Sequence, residues 1–132
     1  MKLVTVGTVA FDDIETPRGR AEMVIGGAAT YISRSASFFV ENQGIVSVIG
    51  GDFPEDELEE MRSLGINTDG IEIKKEEKSF FWAGRYHDNM NKRDTLITDL
   101  NVLANFEPKL PEAYRSAEYL MLGNLTPDIQ MD

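Results

Sequence analysis

Val4-Thr5-Val6-Gly7, with Asp12 five positions after the glycine and Gly26-Gly27-Ala28-Ala29 further on, is the stretch from which the fold is read. Leu3 to Val6 is a short apolar run closed by Gly7, the pattern of a strand buried on both faces of a parallel sheet. Asp12-Asp13 and Pro17-Arg18-Gly19-Arg20 read as loop and turn, and Ala21 to Ile25 as the second arm of a small hairpin. After Gly26-Gly27 the apolar positions Ala29, Ile32, Ala36, Phe39 and Val40 keep helical spacing, and Gly44 supplies a left-handed stop.

The same unit then repeats. Ile45 to Ile49 is a second buried-type strand, Asp52 and Glu55 form a capping pair, and Leu58, Met61 and Leu64 recur before Gly65. Alternation of strand and helix predicts an α/β chain with a parallel, doubly wound sheet. From Ile71 to Thr98 the period changes to two, through Ile71 and Ile73, Phe80-Phe81-Trp82 to Tyr86, and Leu96-Ile97, with a polar turn at residues 87–91. That pattern predicts an antiparallel meander projecting from the main sheet. A short helix is expected near Glu112 to Ser116, and Tyr119 to Leu122 reads as a further buried strand. Thr126-Pro127-Asp128 starts a helix, with an N-cap hydroxyl and proline at the first helical position, of which only Ile129 to Asp132 remain; the chain reads as a piece of a longer protein.

Composition narrows the function. At 132 residues and 42% hydrophobic, the chain suffices for one globular core. The absence of cysteine removes disulfides, thiol catalysis and Cys-ligated zinc, and it fits a cytoplasmic protein. Thirteen Lys and Arg against 23 Asp and Glu leave a net charge of -10, which repels nucleic acid and anionic membranes. The apolar N-terminal run is too short for a signal peptide, and no run has the length of a membrane span. His87 is the single histidine and lies in a turn, which leaves neither a Ser-His-Asp triad nor a two-histidine metal site. The acidic residues Glu55 to Glu60 read as the solvated face of a helix.

Two features carry chemistry. Gly26-Gly27 at a strand-to-helix junction lets a ligand approach the backbone beside free helix N-H donors, or else is a tight turn. It is neither a P-loop nor the Gly-x-Gly-x-x-Gly dinucleotide pattern. Asp12 lies beyond the C-terminal end of the first strand, the edge where open parallel sheets hold ligands. A carboxylate there accepts two hydroxyl hydrogen bonds from a polyol, or is a solvated loop acid.

Taken in order, these stretches resemble the ribokinase-like carbohydrate kinases, also called the PfkB family. The residues that carry the resemblance are Val4-Thr5-Val6-Gly7 with Asp12, Gly26-Gly27-Ala28-Ala29, Val48-Ile49-Gly50-Gly51-Asp52, Leu64-Gly65-Ile66-Asn67-Thr68-Asp69-Gly70-Ile71 and Leu120-Met121-Leu122-Gly123-Asn124. The resemblance implies that residues 1–132 are the N-terminal part of a ribokinase-like domain: a parallel sheet with helices on both faces, plus a small antiparallel β lid at about residues 13–25 and 71–99 that often serves as a homodimer interface.

It implies substrate binding by Asp12, Gly26, Gly27, Tyr31 and Trp82, with Phe80 or Tyr86 as further candidates to cover the apolar face of a sugar ring; for most of the aromatics, lid packing or a dimer interface is favoured. Many members carry asparagine where Tyr31 stands, so the acceptor classes left open are sugars, nucleosides and related polyols. The family's general base lies in a Gly-Ala-Gly-Asp segment that does not occur here, and Asp52 is assigned to helix capping. The expected parent is an ATP- and Mg2+-dependent kinase of such an acceptor, with no catalytic, cofactor or metal residue in this chain, which is expected to be inactive alone. The alternatives are a non-enzymatic module that dimerises through the lid and binds a polyol, and a dehydrogenase-type nucleotide domain, disfavoured by the missing glycine fingerprint.

Overall fold

A computed structural model describes residues 1–132. Strand β1 (Leu3–Val6) sits between β4 (Gln43–Gly50) and β9 (Tyr119–Leu122), parallel to both. β5 (Ile66–Asn67) and β6 (Ile71–Lys74) lie end to end along the far edge of β4, each parallel to it. A second sheet has the order β3-β2-β7-β8, from β2 (Ala10–Thr16), β3 (Gly19–Gly26), β7 (Phe80–Tyr86) and β8 (Arg93–Asp99). Helix α1 (Ala28–Ala36) follows β3, α2 (Glu55–Ser63) follows β4, and α3 (Pro127–Met131) follows β9.

Period-two alternation in β4 builds two cores. Ile45 and Ile49 face α1 and α2, packing with Ala29, Leu58, Met61, Ile66 and Ile71. Val46 and Val48 point the other way, with Val4 and Val6, onto the 3-10 turns Asn101–Asn105 and Glu112–Tyr114 through Val102, Phe106 and Tyr114. Each fully buried aliphatic side chain contributes roughly 1.5–3 kcal/mol. The parallel sheet with helical segments on both faces is the architecture expected from the alternating pattern.

Several local expectations fail, each because tertiary contacts override a local pattern. α1 ends at Ala36 and buries the small side chains Ala29, Thr30 and Ser33, which let it approach the sheet closely; Phe38 and Phe39 are exposed. Gly44 is no helix stop but lies within β4, where a side chain would strike the Tyr114 ring. Asp52 does not cap α2, whose N-cap is Pro54; its Oδ1 accepts the Ser79 N-H at 2.9 Å and the Ser79 hydroxyl at 2.7 Å. Asp12 and Asp13 stand on β2 rather than in a loop. The Thr126 hydroxyl makes no cap bond to α3.

The meander also divides. Ile71–Lys74 belongs to the main sheet, so the second sheet takes up the chain only at Phe80. Within that sheet β2 and β7 run parallel, which makes it mixed rather than antiparallel. Tyr119–Leu122 pairs with β1 but is exposed along its whole length, from 41% at Leu122 to 61% at Tyr119. The sequence pattern of a doubly buried strand is present there, but its side chains remain largely open to solvent, with the Lys2 ammonium 5.4 Å from the Tyr119 ring centroid.

Tyr114 fastens the turn that joins β5 to β6. Its hydroxyl accepts the Gly70 N-H at 3.1 Å and is 2.6 Å from Asn67 Oδ1 and 2.9 Å from Asn67 O. Burial pushes the phenol pKa up, so the group stays neutral. Tyr114→Phe keeps the ring and strands the Gly70 N-H and Asn67 oxygens. The expected cost is about 1–3 kcal/mol, read as a lower urea midpoint at unchanged m value.

Candidate functional site

The chain leaves the main sheet at Gly7 and enters the second at Ala10, and the candidate site lies at this crossing. Thr8 organises it. Its hydroxyl accepts the Ala28 N-H at 3.0 Å and donates to Asn124 Oδ1 at 2.9 Å, while its carbonyl accepts the Ala29 N-H at 2.9 Å. These N-H groups open α1, so they are capped by Thr8 rather than offered to a ligand, contrary to the sequence expectation.

The two glycines have different reasons. Gly27 has φ +95° and lies so close to Thr8 and Val9 that a Cβ would collide with their backbone. At Gly26 a Cβ would strike the Asp12 carboxylate, which lies across it. The missing side chains thus admit parts of the protein itself, and through them fix where Asp12 sits.

A cavity of about 260 Å³ opens above this junction. Thr8, Asp12, Gly27 and Asn124 line its polar end, and Tyr31, Phe80, Trp82, Tyr86 and Arg93 its other walls, with Ala28 between. Of the residues singled out from sequence, Asp12, Gly27, Tyr31, Trp82, Phe80 and Tyr86 therefore converge on one space, and Gly26 stands just behind Asp12. Parallel pairing places Asp12 directly opposite Trp82, so both project from one face. Thr8 and Arg93 were not singled out, and Asn124 only as part of a strand motif. Thr8 sits in an unremarkable linker and Arg93 in an exposed strand, so no local pattern marks either; sheet pairing alone brings them in.

The Asp12 carboxylate receives no hydrogen bond from the protein, whereas neighbouring acids are engaged: Asp13 Oδ1 accepts the Met23 N-H at 2.6 Å, and Glu15 pairs with Arg85 at 3.0 Å. Burial, and secondarily the Asp13 charge, push the Asp12 pKa up. Asp12 is an acceptor with its capacity unspent, facing a cavity. With Oδ1 engaged by Thr8, Asn124 keeps its NH2 as a free donor on the same cavity. An acceptor and a donor lining one cavity suit a ligand that carries several hydroxyls.

No group of three or more His, Asp or Glu side chains is placed to hold a metal ion, and the sequence has no P-loop. His87 is exposed, with Nε2 3.0 Å from Asp94, away from the cavity lining. No helix is long and apolar enough to cross a membrane.

No protein-family model matches the chain. It is 28% identical over 132 residues to a cytidine kinase of Thermococcus kodakarensis, covering 99% of this chain and 46% of that protein. Among solved structures, it superposes on a ribokinase from Cryptococcus neoformans in complex with ADP at a TM-score of 0.76, with 15% identity over 98% of this chain and 43% of the other. A Methanocaldococcus jannaschii nucleoside kinase, described as an archaeal member of the ribokinase family, gives 0.71, with 19% identity over 99% and 47%. The fold is therefore ribokinase-like, as the ordered motifs imply. The chain spans about half the length of the relatives it matches.

Because the folded state raises the Asp12 pKa, it disfavours the carboxylate. Below the unfolded pKa, about 4, the neutral acid costs nothing; as pH rises through the folded value, this relative stability is lost and the full charge penalty holds above it. Asp12→Asn is expected to raise the thermal midpoint at pH 7, with the gain vanishing near pH 3. Melting curves across that range check it, and equal midpoints at pH 7 would contradict it.

Proposed function

We propose that this chain is the acceptor-binding part of a ribokinase-type kinase, whose parent transfers the ATP γ-phosphate to a hydroxyl of a sugar, nucleoside or related polyol. The observation that carries the reading is the unpaired, half-buried Asp12 carboxylate at the base of the cavity. Paired with the Asn124 NH2 on a rigid junction, it orients hydroxyls. Phosphoryl transfer depends on such positioning and on charge stabilisation; this chain supplies the former only. ATP and Mg2+ belong to the parent, a reading supported by the ADP in the ribokinase complex. The uncovered apolar strand β9 supports the same view, since further structure in a longer parent has a surface there to pack against.

On this reading, Asp12 accepts hydrogen bonds from two hydroxyls, Asn124 donates to a ligand oxygen, and Tyr31 stands where the shape of the acceptor is sensed. A second reading, a module that self-associates through its second sheet, is favoured by one observation. Edge strand β8 is exposed at all seven residues, with Leu96 and Ile97 each at 48%, and its outer backbone edge is unpaired. Light scattering with and without ribose separates a sugar-binding monomer from a sugar-blind dimer.

The 132-residue chain is expected to release no ADP from ATP in the presence of ribose or cytidine, and turnover in that assay would refute its assignment as the positioning half alone. Binding of those compounds by calorimetry should persist and weaken at least about tenfold in Asp12→Ala, the scale of a lost charge-assisted hydrogen bond.

A further inference from the structure

The polar end of the cavity accounts for hydroxyl recognition and leaves the opposite wall unexplained. Trp82, Tyr86 and Phe80 from β7 and Tyr31 from α1 bring four aromatic rings to this wall, and Arg93 from β8 joins them. The Trp82 indole lies along its own strand over Gly84, where any side chain would run into the ring. The Arg93 guanidinium stands 5.4 Å from the ring centroid. A β-bulge between Ala83 and Gly84 shifts the β7–β8 register at this point, which sets Arg93 opposite Tyr86 on the face that carries Trp82.

We propose that Trp82, laid flat by Gly84 and flanked by Arg93, forms a platform that selects acceptors bearing a planar heteroaromatic ring. This rests on the reading of Asp12 as the hydroxyl anchor. An aromatic base stacks against the indole, as bases do on aromatic side chains. Arg93, whose guanidinium carries five fixed donors and is neither salt-bridged nor hydrogen-bonded to any carboxylate, donates to in-plane acceptor atoms at the edge of the base. A bare sugar offers an aromatic ring only its C–H face, with no π system to stack and no fixed in-plane acceptors at a ring edge. Asp12 and Trp82 are cross-strand partners, so a ring joined directly to a hydroxyl-bearing sugar spans the two without any shift of register. Gly84 is a positioning residue in this scheme; Trp82 and Arg93 touch the ligand.

Trp82 is the chain's only tryptophan, so its fluorescence reports the platform directly. Cytidine and ribose are titrated into the protein, followed by Trp82 emission and by calorimetry. Cytidine is expected to quench the emission saturably and to bind at least tenfold more tightly than ribose. Arg93→Ala, at an exposed position, should weaken cytidine about three- to tenfold, the scale of one lost hydrogen bond, with a smaller effect on ribose. Gly84→Ala should reduce the same preference by tilting the ring, with circular dichroism confirming the fold. Equal affinities for cytidine and ribose, or cytidine binding untouched by Arg93→Ala, overturn the platform while the hydroxyl anchor stands. Binding of neither compound overturns both.

Discussion

The hydrogen bonds of Thr8 are the constraint on which the site depends. One residue satisfies two orphan donors of α1, holds Asn124 by its amide oxygen, and lies against Gly27 at backbone contact distance. It thereby joins the C-terminal ends of β1 and β9 to the start of α1. Buried backbone N-H groups left unpaired cost more than a hydrogen bond usually returns, so the junction has one low-energy arrangement. Its use of φ +95° at Gly27 is the local expense of that closeness. Asp12 and Asn124 inherit their positions from it.

A second clasp sets the other wall. Ser79 immediately precedes β7, and its hydroxyl donates to Asp52 and accepts the Gly50 N-H at 2.9 Å, while Asn101 donates to its carbonyl at 2.9 Å. Gly50 and Gly51 are glycines because the backbone of residues 75–79 crosses them too closely for any Cβ. The end of β4 therefore fixes where Phe80 and Trp82 begin. Arg34 completes the frame from the far side, binding Glu57 and Glu60 at 3.1 and 3.2 Å and so holding α1 against α2. The Glu57 contact is only partly exposed, which makes it worth more than a solvated surface bridge, while Glu60 is largely solvated.

The parallel layers were legible because the apolar runs at Val4–Val6 and Ile45–Ile49 have the pattern of strands buried on both faces, although Gly44, with the local form of a helix stop, lies inside the second strand. Most of the cavity lining was legible too, since an acid past a strand end and a Gly-Gly junction before a helix point to one sheet edge. What escaped depended on partners distant in sequence. Asp52 followed by Glu55 has the local form of a cap, yet Ser79 outcompetes the helix for its carboxylate. Phe39 and Val40 keep the spacing of α1 but fall beyond its end at Ala36. β9 has the composition of a core strand and no core around it. The parallel pairing of β2 with β7 is invisible in either strand, because period two is the same for parallel and antiparallel neighbours.

That pairing has the largest consequence for function. The polar end of the cavity is built on the junction at Thr8, and the aromatic end on strands of the second sheet, so besides the Ser79 clasp it is the β2–β7 register that holds the two in place relative to each other. With Asp12 opposite Trp82, a carboxylate and an indole share a face at neighbouring-strand distance. A slip of one residue would instead set Asp12 beside Phe81 or Ala83, on which the opposite face is packed, and turn the carboxylate away from the ring. Phe11 and Phe81, which are themselves register partners, prevent this by committing their face to the core, where Phe11 is buried against Phe53 and Phe81 packs beside it. The apolar half of each strand thus determines the geometry of the polar half. An unpaired acid that costs stability can persist at Asp12 because the core face, rather than the acid itself, specifies the strand.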